Sequence, residues 1–93
     1  MSFIQKSNIL PWQKENIDNL PEYGIYVLRK DTTINGILYI GKAEPGKMKE
    51  KLLHHFETKD IPSVIFFDWY ETKTDEDANA LKGVWESKYP SYD

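Results

Sequence analysis

Apolar positions along the chain follow two rhythms. Tyr23 to Arg29 is rich in β-branched and aromatic residues, and Ile37 to Gly41 is a second such segment. Both read as strands. Asp31 to Gly36 between them carries turn formers, so the pair is expected to close as an antiparallel hairpin. Alternation puts Gly24, Tyr26 and Leu28 on one face of the first strand, and Ile37, Tyr39 and Gly41 on one face of the second. After the turn at Glu44-Pro45-Gly46 the rhythm changes. Met48, Leu52 and Phe56 recur at four-residue steps, the stripe of an amphipathic helix. Lys47, Lys51 and His54 line up on a neighbouring face, and His55 falls between the two arcs.

Ser63 to Glu71 is apolar on both faces, as a strand covered from both sides would be. Thr74 with Asp77 three residues on has capping-box spacing for a helix over residues 75–88, with a core stripe of Ala78, Leu81, Val84 and Trp85. Gly83 weakens that helix by roughly 1 kcal/mol relative to alanine. Pro11 suits a first helical position, so a short N-terminal helix is expected over residues 11–18, ended by Asn19-Leu20-Pro21. These elements predict a three-layer α/β/α sandwich on a three-stranded sheet, in the order β-β-α-β-α. It forms a single domain over residues 1–93, with its core from about residue 20 onward.

Composition narrows the function classes. The 93 residues are too few to divide into two cores. The absence of cysteine rules out disulfides and thiolate metal sites. The N-terminal stretch lacks the continuous apolar run of a signal peptide or anchor, so a cytoplasmic protein with no membrane partner is expected. A net charge of -3 means that any surface gripping phosphate must be local.

Gly24-Ile25-Tyr26 followed by Tyr39-Ile40-Gly41 resembles the pair of tripeptides that names the GIY-YIG nuclease superfamily. Leu20-Pro21-Glu22-Tyr23, Lys42 after the second tripeptide, His55-Phe56 near the helix end and the closing Tyr89-Pro90-Ser91-Tyr92-Asp93 fit the same pattern. The resemblance covers roughly residues 20–93. It implies one Mg²⁺ or Mn²⁺ ion and hydrolysis of a DNA phosphodiester. Tyr39 would orient or deprotonate the attacking water, Tyr26 would hydrogen-bond the phosphate or metal-bound water, and Lys42 would supply charge beside them. His55 would sit at the edge of the site.

Two positions depart from that pattern. The slot for a phosphate-gripping Arg holds Lys51, a point charge without the planar fork. The slot for the metal-binding Glu holds Leu81, flanked by Ala80 and Lys82, so no residue can be named as the metal's ligand. Asp68, Glu71, Asp77 and Glu86 are the conceivable substitutes. Three functions follow: a nuclease, active or impaired; a non-catalytic DNA-binding domain using Lys42, Lys47, Lys51 and His54; or a module for a protein partner that keeps only the fold. Plainer readings stand beside these. Tyr26 and Tyr39 also suit a cross-strand aromatic pair, the lysines a solvated helix face, and Trp12 a cover for a sheet edge.

Overall fold

Strand formers at Gly24–Arg29 make β3, which is buried along its whole length because it has a neighbour on each side. The computed structural model describes residues 3–88; the closing segment Tyr89–Asp93 lies outside the described residues. β3 pairs antiparallel with β4 (Ile37–Lys42) and with β5 (Phe66–Glu71). Two short strands, β1 (Gln5–Lys6) and β2 (Leu10–Pro11), add antiparallel to the other edge of β5. The result is a mixed α/β domain with a five-stranded antiparallel sheet, ordered β1-β5-β3-β4 with β2 also on β5, flanked by α1 (Met48–Thr58) and α2 (Asp75–Lys88).

The N-terminal segment departs from expectation. Residues 11–18 form not a helix but the end of β2 and one 3-10 turn, Lys14–Asn16. Trp12 and Ile17 offer no helical stripe, whereas β5 offers unpaired backbone groups. The amides of Ile4, Ser7 and Trp12 donate to the carbonyls of Glu71, Trp69 and Ile65 at 2.8–2.9 Å. Pro11 sits on this outer strand, where a missing N–H is tolerated. The sheet therefore has five strands rather than three. Trp12 folds over the edge and meets Phe56 and Phe67 edge-on.

Each sheet face has its own core. On one, Tyr26, Leu28, Phe67 and Trp69 pack with Met48 and Leu52 of α1. On the other, Ile25, Val27, Ile37, Ile40 and Tyr70 pack with Ala78 and Leu81 of α2, backed by half-buried Trp85. Val84 of the expected stripe is left exposed. β4 also corrects its expected alternation. Leu28 pairs with Tyr39 but Arg29 pairs with Ile37, so Leu38 is an extra residue. Such a bulge switches faces, and it sends Ile37 to the α2 side while Tyr39 and Gly41 stay on the α1 side. Thr74 caps α2 by accepting the Asp77 backbone N–H at 3.1 Å.

Candidate functional site

The two motif tyrosines lie side by side under α1, with ring centroids 6.2 Å apart. Their closeness depends on a glycine. Gly41 stands opposite Tyr26 in the β3–β4 register, and a Cβ there would land on the Tyr26 ring. Gly24 is required for a similar reason, since its Cβ would collide with the Tyr70 carbonyl of β5. Both tripeptide glycines thus serve close packing.

Tyr26 is fully buried, and its hydroxyl lies 2.8 Å from His55 Nε2. His55, on the last turn of α1, has Asp60 Oδ1 2.8 Å from its Nδ1. With its Nδ1–H donating to Asp60, the ring leaves Nε2 to accept the Tyr26 O–H. Burial pushes the Asp60 carboxyl up, but the hydrogen bond from His55 and one from its own backbone outweigh it and hold the group below its ordinary value. Burial, then the nearby Tyr39 and Asp60, push the Tyr26 hydroxyl well above the ordinary tyrosine range. Tyr26 therefore keeps its proton at any ordinary pH. The resemblance gives it a hydrogen bond to phosphate; in the structure that hydroxyl is spent on His55. Tyr39 is less buried, its ring meets His55 edge-on at 5.4 Å, and its hydroxyl bonds none of the described residues.

The cationic residues gather next to this cluster. Lys42, Lys47, Lys51 and His54 line one cavity of about 550 Å³, together with Ala43, Glu44 and Glu50. The four-residue spacing on α1 and the end of β4 put them there. They are not equally free. Lys42 Nζ donates to Asp75 Oδ1 at 2.7 Å, at the first residue of α2. Lys47 lies 3.8 Å from Glu50. Lys51 is exposed, and its side chain has no partner among the described residues.

A Mg²⁺ or Mn²⁺ ion takes carboxylate oxygens as ligands, and Glu44 and Glu50 are the acids that line the lysine cavity. Leu81 belongs to the α2 core, across the sheet from the tyrosines, so a carboxylate there would be sunk in apolar side chains. Asp68 is buried in a two-pronged pair with Arg29, at 2.9 and 3.2 Å. Glu86 binds Lys82, Asp77 sits in the cap of α2, and Glu71 ends β5 opposite Gln5 and Gly24. Among the described residues no three metal-binding side chains come together.

Two acids matter that sequence reasoning passed over, Asp60 and Asp75. Asp60 follows the left-handed Lys59 that closes α1, a return which carries it back to His55. Its only trace in the sequence is its place just past a helix end. Asp75 reads in the sequence merely as the start of a helix.

No helix among the described residues is long and apolar enough to cross a membrane. The chain matches no family model, no curated protein and no solved structure.

Proposed function

We propose that this chain is a GIY-YIG-type domain that binds nucleic acid through the Lys42–Lys47–Lys51–His54 cavity without hydrolysing it. One observation carries the reading: three lysines and a histidine converge on one cavity, while of the carboxylates around it Glu50 lies against Lys47 and Asp75 holds Lys42. Phosphate needs cations and donors, which this cavity has; hydrolysis through a divalent ion needs several ligands converging on it, and no three metal-binding side chains come together among the described residues. The order β3-β4-α1-β5-α2 supports the family reading, with β1 and β2 as additions at the sheet edge. In this reading Lys51 is the main phosphate contact, and the half-buried Tyr39, whose hydroxyl bonds none of the described residues, is a further donor.

Two measurements test it. Purified protein incubated with supercoiled DNA and Mg²⁺ or Mn²⁺ leaves the DNA intact, and metal-dependent nicking overturns the non-hydrolytic reading. Oligonucleotide binding weakens as salt rises, and Lys51→Ala lowers the salt slope by about 1. Failure to bind at low salt removes the nucleic-acid reading and leaves a protein-interaction module.

A further inference from the structure

A second cavity, remote from the lysine cluster in chemistry, is set where α1 ends. It measures about 350 Å³, near the lower limit of about 300 Å³ typical of small-molecule sites. Trp12, Phe56, Ile61 and Val64 give it apolar walls. The polar lining comes from Lys59 and Ser63. Among the described residues the Lys59 ammonium, the Ser63 hydroxyl and the Trp12 indole N–H all lack a hydrogen-bond or ion-pair partner. Three unengaged donors around an apolar floor are the makings of a site that fixes a ligand by one polar end.

The sign of that end follows from charge. Lys59 is the sole charged residue of the lining, and no carboxylate shares the cavity. That is notable in a chain whose net charge is -3. The backbone adds an independent sign. Lys59 and Ser63 both adopt left-handed conformations, at φ 54° and 70°. For Lys59 the conformation closes α1, its N–H donating to the His55 carbonyl at 2.9 Å. Ser63 ends no helix, and a non-glycine residue held there is a cost that loops carry most often at binding sites.

We infer that the Trp12–Phe56–Val64 cavity is a binding site for a small aromatic carboxylate, its ring against Trp12 and Phe56 and its carboxylate on Lys59 and Ser63. The volume admits one or two fused rings rather than a chain or a peptide. The site owes nothing to the nucleic-acid reading and stands or falls separately.

The test follows the Trp12 indole N–H by nuclear magnetic resonance in the full chain, the signal being assigned with Trp12→Phe. Titration with 1-naphthoate and indole-3-carboxylate shifts that signal saturably, while the matched primary amides bind roughly five- to tenfold more weakly. Lys59→Gln brings the acids down to the affinity of the amides. Val64→Phe fills the cavity and abolishes the shift, with the other two indole signals unmoved; if that variant does not fold, Ile61→Phe serves the same purpose. Absence of a saturable Trp12 shift at millimolar acid, equal binding of acid and amide, or acid binding unchanged in Lys59→Gln each overturns the assignment.

Discussion

Tyr26 and Gly41 face each other across β3 and β4, and each accounts for the other: the ring fills the space a side chain would take. Gly41→Ala therefore forces the Tyr26 ring or the strand to move, at a cost of about 1–3 kcal/mol. Gly83→Ala is the control. Nothing stands within 4 Å of a Cβ at that exposed helical position, so alanine there stabilises by about 0.5–1 kcal/mol. Urea midpoints of the two variants should move in opposite directions from that of the parent chain. The Tyr26 hydroxyl gives a second prediction at this scale. Its folded pKa is raised by burial, so both states hold the proton below about pH 10, and only the unfolded state releases it above that. The stability is thus whole below pH 10 and drains as pH climbs further. Tyr70, pushed up to about 12 by burial and the Asp68 carboxylate, adds to the same loss. Tyr26→Phe should flatten the alkaline decline by about 1.4 kcal/mol per pH unit. At neutral pH it should cost about 1–3 kcal/mol, because His55 Nε2 is left without its donor. Urea melts between pH 8 and 11.5 separate the two effects.

Elements with a strong internal rhythm were legible from the residues alone. α2 spans the residues expected after the Thr74 cap, with Ala78, Leu81 and Trp85 of its stripe facing the sheet and Val84 exposed, and β3 and β4 fall within a residue of their expected limits. What escaped has no local signature. β1 and β2 are two residues long each and exist because β5 has an edge to fill, so pairing with a distant strand decided a segment whose own pattern was indifferent. The bulge at Leu38 escaped for a related reason, since period-two reading assumes an unbroken register. In the site, spacing on α1 foretold that Lys47, Lys51 and His54 would share a wall. It carried no hint that Asp75, 33 residues from Lys42, would hold that lysine, or that a helix-ending turn would bring Asp60 to His55. The cap of α2 can be tested at this scale. Thr74→Ala removes the acceptor of the Asp77 N–H and should lower stability by about 1 kcal/mol. Faster hydrogen exchange should appear first at the amides of the first α2 turn, while the β3 amides stay protected.

Across the whole molecule the acidic excess works against any polyanion, and the lysine cavity has to overcome it locally. Asp75 sharpens that contest. Its carboxylate sits at the positive end of the α2 dipole and also holds the Lys42 ammonium at 2.7 Å, so it occupies a cation that phosphate would otherwise use. Asp75→Asn should release Lys42 and remove one repelling charge together. Oligonucleotide affinity at low salt should then rise by roughly three- to tenfold, and the salt slope should steepen by about 0.7–0.9, the increment of one more phosphate contact. The cost to α2 should stay near 0.3–1 kcal/mol, the worth of one acidic residue at a helix start. A double-mutant cycle isolates the cause. Lys42→Ala should change binding little in the parent chain, where Asp75 already neutralises that lysine, and should erase the gain in the Asp75→Asn background. Lys51→Ala should weaken both backgrounds equally, because Lys51 has no partner to be released from. If Asp75→Asn binds no better, or if its gain survives Lys42→Ala, the ion pair is a strut between β4 and α2 and has no part in setting affinity.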